Sequence, residues 1–221
     1  MLRAVIIDVD DTLCLTEAAS YDLENEVLAR LGRPPMSRAV HLATWGDTLL
    51  EAMPRRSPGV DLDRFAELFP VAHQEYLAAG RLDVIPEENL RALDELVLAG
   101  RTVLLLTSRA EAEVRHMLAA DHVLAGRVSG AYHQGNTRFR KPDPRAFDEL
   151  LAETGFAPGD CVYVGDSPGD AVAAGGAGLS FIACLQSGVR SLDDFDPRHV
   201  DACIDVFPDV VAAVNRLDPH G

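Results

Sequence analysis

Asp8 and Asp10 lie in the segment Ile6-Ile7-Asp8-Val9-Asp10-Asp11-Thr12-Leu13, two acids one residue apart at the end of an apolar run. Carboxylates so placed can share a divalent cation, or divide the work of nucleophile and proton donor. A solvated acidic turn is the competing reading, because Asp and Thr are ordinary turn formers. A calcium loop of the EF-hand type starting at Asp8 is excluded, since its sixth position would be Leu13 rather than Gly and its twelfth Ala19 rather than Glu. Three later segments carry groups that complement the acids. Thr107 and Ser108 end the apolar run 103–106, and Ser108 with Glu111 has capping-box spacing. That predicts a helix start whose N–H groups suit a phosphate, although such hydroxyls also serve as caps alone. Lys141 stands in Arg140-Lys141-Pro142-Asp143-Pro144, where two prolines stiffen the chain before a helix capped by Asp143. A lone Lys is usually solvated, and an ammonium held in place is useful where an anion must be met. Asp166 and Asp170 follow the run Cys161–Gly165. With Ser167 as cap and Pro168 as the first helical residue, Asp170 falls third in a helix, where an acid completes a capping box and suits the helix dipole. Asp166 precedes the cap and has no such structural account.

All of these groups except Lys141 follow a short apolar run. Residues 2–7, broken only by Arg3, residues 102–106 and residues 161–165 read as strands buried on both faces of a parallel sheet. Ligands of open α/β sheets bind just beyond the carboxyl ends of such strands. Further strands are predicted at 128–132, 179–184 and 202–205. Between Leu13 and Val103 no strand-like run occurs, and helical patterns recur instead at 16–31 and 61–79. Leu23, Val27, Leu28 and Leu31 share one face, and Gly32 with Pro34-Pro35 ends that helix. Another helix is opened by Pro86 and closed by Gly100. The predicted fold is therefore α/β, a Rossmann-like doubly wound parallel sheet core at residues 1–14 and 85–221, with an α-helical insertion at residues 15–84. There is no internal repeat or low-complexity segment.

In this order, the four junctions resemble the four motifs of the haloacid dehalogenase-like (HAD) hydrolase superfamily. Asp-x-Asp-x-Thr is matched by Asp8, Asp10 and Thr12, and the Thr or Ser after a hydrophobic strand by Thr107. The Lys before a helix is matched by Lys141, and Gly-Asp-x-x-x-Asp by Gly165, Asp166 and Asp170. The resemblance implies that Asp8 is a nucleophile that becomes an aspartyl-phosphate, and that Asp10 is the acid and base. It implies Mg2+ held by the Asp8 carboxylate, the Asp10 backbone carbonyl and the Asp166 carboxylate, with Asp170 supporting this shell. Thr107, Ser108, Arg109 and Lys141 would bind substrate, with Thr107 and Lys141 on the phosphoryl oxygens. Dehalogenases of the superfamily resemble Asp-x-Tyr at the first motif, so Asp10 points to phosphate chemistry. Asp11 departs from the Gly that many relatives carry.

The helical insertion resembles the cap of the subgroup containing phosphoglycolate phosphatases and β-phosphoglucomutases, which implies a lid that selects the substrate. The implied function is a Mg2+-dependent phosphatase for a small phosphomonoester, phosphoglycolate or a sugar phosphate. A phosphomutase of the β-phosphoglucomutase type shares the same core and stays open. A phosphoacceptor signalling module of the receiver type is opposed by motif order, because here Lys141 precedes Asp166, and it leaves the helical insertion unexplained.

Composition agrees with one enzyme of this size. The 221 residues, 48% of them hydrophobic, suffice for an α/β core with a smaller lobe. A formal net charge of −15 argues against nucleic acid or an anionic membrane surface as partner. The expected partner is a small phosphorylated metabolite, with the protein a monomer or homodimer. Cys14, Cys161, Cys184 and Cys203 show no C-x-x-C pairing, so neither a zinc site nor a disulfide framework is expected. No signal peptide or membrane-spanning run is read, which leaves a cytoplasmic location as the expectation. Within the insertion, His41, Trp45, Arg55 and Arg56 are candidates for substrate contact. The stronger reading makes Trp45 a core residue and the arginines part of a solvated loop beside Pro54, Ser57 and Pro58. His133 receives no role.

Overall fold

Strands β1 (Ala4–Ile7), β2 (Thr102–Leu106), β3 (Gly130–Tyr132), β4 (Cys161–Gly165), β5 (Ser180–Cys184) and β6 (Ala202–Ile204) pair in the order β3-β2-β1-β4-β5-β6. This computed structural model describes residues 1–45 and 47–218. Every pairing is parallel, with Ile7 beside both Leu105 and Val164. β1, β2 and β4 are almost wholly buried, as their unbroken apolar character requires when both faces are covered. Parallel strands also deliver their carboxyl ends to one edge, so the residues after β1, β2 and β4 become neighbours.

The chain divides into two compact units, Met1–Cys14 with Ile85–Gly221, and Leu15–Val84. In the sheet unit, alternate residues feed two apolar layers. Val5, Ile7, Val103, Leu105, Val162 and Val164 pack with α5 (Glu87–Leu98) and, near the chain's end, α9 (Val210–Leu217). Ala4, Ile6, Leu104, Leu106 and Tyr163 point to the opposite layer, formed with α7 (Asp148–Thr154) and α8 (Pro168–Ala177). The helical unit comprises α1 (Thr16–Arg30), α2 (Arg38–Ala43), α3 (Leu49–Arg56) and α4 (Leu62–Ala78). Its core gathers Leu23, Val27, Leu28, Met36, Met53, Phe65 and Tyr76. Asp61 caps α4 by accepting from the Arg64 N–H at 3.0 Å.

Two local expectations are corrected. The helix foreseen at Ser108 begins only at Glu111, as the single turn α6 (Glu111–Val114) continued by a 3-10 turn. Ser108 is an exposed bend residue, and Thr107 makes the local turn instead, its Oγ1 accepting from the Arg109 N–H at 3.2 Å. The Pro54 to Arg56 stretch is the last turn of α3 rather than a solvated loop, and Arg56 is buried.

Cys14, Cys161 and Cys184 are buried and Cys203 is half-buried. Among the described residues no helix is long and apolar enough to cross a membrane.

Candidate active site

Asp8 is the first residue past β1. Its N–H donates to the Val164 carbonyl at 2.9 Å, which prolongs the ladder by one bond and fixes the carboxylate at the edge where β1 meets β4. The chain then turns back tightly, with the Cys14 N–H on the Val9 carbonyl at 2.9 Å. Asp11 takes a left-handed backbone at φ 57°, a conformation that Gly adopts freely and Asp tolerates better than most residues.

Lys141 comes from the segment before α7, which opens as a 3-10 turn at Pro144 with the Asp143 side chain accepting from the Arg145 N–H. The Lys141 side chain is half-buried and its ammonium makes three short contacts: Asp170 Oδ1 at 2.6 Å, Tyr163 Oη at 2.7 Å and Asp8 Oδ1 at 3.0 Å. Asp170 sits in the first turn of α8 and does two things. Its Oδ2 accepts from the N–H and hydroxyl of Ser167 in a complete capping box, while its Oδ1 faces Lys141. Gly165 makes room for it, since a Cβ there would lie 2.7 Å from Asp170 Oδ2 and 2.8 Å from its Cβ.

Asp166 differs from both. Among the described residues it has no hydrogen-bond or ion-pair partner, yet one oxygen each of Asp8, Asp166 and Asp170 lie within 4.8 Å of one another. Burial, reinforced by the charges of Asp8, Asp170 and Asp11, pushes the Asp166 carboxyl up to about 9. Asp8 is pushed up to about 7, mainly by burial, with Lys141 opposing and Asp170 and Asp10 adding to the rise. Burial disfavours the Lys141 ammonium too, but Asp170 and Asp8 outweigh it and keep the group charged. Ionising all three acids beside one ammonium would leave an excess of negative charge, which a bound cation would offset. Their hard oxygen donors fit a small divalent cation such as Mg2+.

The Asp10 carboxylate is held elsewhere. Arg109 grips it through Nη2 at 2.7 Å and Nε at 3.1 Å, and only 12% of the arginine side chain is exposed. Thr107 is buried past the end of β2, with its N–H on the Tyr132 carbonyl at 2.9 Å. A small recess beside it is lined by Thr107, Ser108, Gln134, Arg140 and Lys141. His133 only builds the neighbouring turn, its Nδ1 accepting from the Gly135 N–H at 3.0 Å.

The helical-unit candidates are used internally. His41 and Arg56 are buried in a charged cluster: His41 Nδ1 lies 2.5 Å from Glu17, its Nε2 3.4 Å from Glu24, and Arg56 donates to both Glu24 oxygens at 2.7 Å. Trp45 is half-buried against the His41 ring at 5.3 Å. Arg55 is exposed and paired with Asp47.

Tyr163 is the residue that sequence reasoning missed. Read as one more apolar residue of β4, it brings a hydroxyl into the acid cluster. The available signal was period-two alternation, which puts Tyr163 on the same face as Gly165.

The family model for haloacid dehalogenase-like hydrolases matches residues 5–184. A phosphoglycolate phosphatase of Xylella fastidiosa is 30% identical over 196 residues, covering 87% of this chain and 83% of the relative. Protein CbbY of Cupriavidus necator, plasmid-borne, is 27% identical over 195 residues, covering 80% and 76%. Among solved structures, a HAD-superfamily hydrolase of Geobacter sulfurreducens superposes with a TM-score of 0.70 at 21% identity, over 96% of each chain.

Proposed function

The chain belongs to the haloacid dehalogenase-like hydrolase family, and from that premise we propose that it is a Mg2+-dependent phosphatase of small phosphomonoesters working through an aspartyl-phosphate. One observation carries the reading: Lys141 is locked between Asp8 and Asp170 while the neighbouring acid Asp166 has no partner among the described residues, an arrangement with places for both an anionic substrate and a cation. Asp8, Asp166 and the Asp10 backbone carbonyl would hold the metal, supported by Asp170. When bound, it would neutralise charge on the phosphoryl oxygens and on Asp8.

In the first half-reaction an Asp8 oxygen attacks phosphorus. The new bond is Asp8 Oδ–P, the bond broken is that to the ester oxygen, and Asp10 gives the departing oxygen its proton. In the second, water attacks the phosphoaspartate, Asp10 takes the proton of that water, and inorganic phosphate leaves with Asp8 restored. Thr107 and Lys141 hold the transferring group throughout and offset the repulsion between Asp8 and a dianion. Arg109 orients the Asp10 carboxylate for both transfers. The helical unit, residues 15–84, is proposed to correspond to the family's cap and to choose the leaving group, with phosphoglycolate and sugar phosphates as the first candidates.

The test is phosphate release from a panel of small phosphomonoesters with and without Mg2+. Turnover that requires Mg2+ is expected. Phosphorylation of Asp8 without phosphate release would replace this reading with a phosphomutase. Absence of both across the panel would contradict it.

A further inference from the structure

β4 alternates between the two faces of the sheet, and Tyr163 at its midpoint points into the layer beneath the acid cluster. Its ring is fully buried, set edge-on to Phe147 at 5.1 Å and tilted against Phe181 at 6.1 Å. A phenol so wedged has little freedom, since only two side-chain torsions define it and both are packed. Its oxygen is therefore a fixed point. From there it meets three groups belonging to three of the four motif segments. It accepts from Lys141 Nζ at 2.7 Å, and its one proton lies between the Leu106 carbonyl and Asp170 Oδ1, each at 3.2 Å. Leu106 immediately precedes Thr107.

We propose that Tyr163 is the positioning residue of the phosphoryl site, its hydroxyl tying the Lys141 ammonium to the backbone that carries Thr107. The assignment rests on the phosphatase reading for its catalytic meaning, but the tether itself does not. Lys141 has four flexible torsions, and its partners Asp8 and Asp170 are both anions that would draw it down between them. The three N–H bonds of the ammonium are matched by three acceptors, Asp8, Asp170 and Tyr163. The neutral phenol is the acceptor that adds no negative charge to the cluster, and its carbonyl and carboxylate contacts aim its lone pairs at Lys141. The two groups assigned to the phosphoryl oxygens, Thr107 and Lys141, thereby share one rigid anchor, which is what holding a transition state requires.

Tyr163→Phe removes only the oxygen and keeps the ring that packs between Phe147 and Phe181, so thermal unfolding of the variant serves as the fold control. With the best substrate and saturating Mg2+, kcat should fall about ten- to a hundredfold, with KM changed less than about threefold. In a Lys141→Met background the same substitution should cause no further loss, because its effect passes through the ammonium. Nitrogen-15 NMR of the lysine side chains gives a readout independent of turnover: the Lys141 ammonium signal should shift and its protons exchange faster in Tyr163→Phe. Unchanged kcat, additive losses in the double variant, or an unperturbed Lys141 signal would each overturn the assignment. Should the native protein release no phosphate, the phosphatase reading fails alone, and the Lys141 signal still decides whether the tether exists.

Discussion

Arg109 and Asp10 form a pair in which each explains the other's geometry. A two-pronged guanidinium fixes the plane of the Asp10 carboxylate, and the proton-donor and acceptor role proposed for that carboxylate would need a fixed plane. Arg109→Met should therefore lower kcat by about ten- to a hundredfold for alkyl phosphates, within the range general acid–base catalysis supplies. An aryl phosphate such as p-nitrophenyl phosphate, whose leaving group needs little protonation, should lose much less. Equal losses on both substrates would show that Arg109 acts on substrate binding instead. Gly165 supports the same site from below. Gly165→Ala would push a methyl group into Asp170, a clash of the overpacking kind that costs about 1–3 kcal/mol, and urea unfolding should register it together with weakened Mg2+ binding. These roles were partly legible in the sequence. Asp8, Lys141, Asp166 and Asp170 stand out because each ends an apolar run or opens a helix. The Arg109–Asp10 pair did not stand out, since its members are 99 positions apart and meet only because β1 and β2 are neighbours in the sheet.

At the level of elements, the helices of residues 15–84 show how charge can be hidden. Glu17 and Glu24 on α1, His41 on α2 and Arg56 on α3 are all buried, and Arg38 joins Glu17 from the exposed side. The apolar stripe of α1 was readable from Leu23, Val27 and Leu28. The buried glutamates were not, because a charged residue on an amphipathic helix normally faces water and its partners here come from other helices. The β-strands were readable for the opposite reason, since double-sided burial leaves no polar residue to blur the pattern. Two outcomes follow for this cluster. Arg56→Met leaves Glu24 without its bidentate partner and should destabilise the helical unit by about 3–5 kcal/mol in urea unfolding, as removal of one member of a buried pair does. For His41, burial opposes the charged form, but the hydrogen bonds to Glu17 and Glu24 prevail over burial and the nearby Arg56, and hold its pKa above the usual 6.5. The folded chain thus keeps a proton that the unfolded chain sheds. This contribution is complete below about pH 6.5 and is lost as pH rises through the folded-state value. Thermal unfolding followed from pH 6 upward should show that loss in the native protein and a flatter profile in His41→Gln.

For the whole molecule, the acid cluster sets a second pH dependence of the same sign. Without a bound cation, Asp166 at about 9 and Asp8 at about 7 keep protons that an unfolded Asp releases near 3.8. Stability therefore falls as pH rises from about 4 to about 9. If Mg2+ binds the folded, ionised cluster as proposed, the rise in Tm on adding Mg2+ should be larger at pH 8.5 than at pH 6, and Asp166→Asn should remove most of the difference. A Mg2+ effect independent of pH would place the cation elsewhere. His41→Gln leaves this response intact, which separates the two sources. With a formal net charge of −15, the proposed anionic substrate would be attracted only where Lys141 and a cation counter the field. All of these expectations rest on Asp8 as the group that receives the phosphoryl. The most direct test is to acid-quench a reaction with the best substrate and Mg2+ during turnover and to map the phosphorylated peptide by mass spectrometry, in the native chain and in Asp8→Asn. A phosphoryl group is expected on Asp8 in the native protein, and neither phosphorylation nor turnover in the variant. Turnover that persists in Asp8→Asn, or a phosphoryl group carried by another residue, would contradict it.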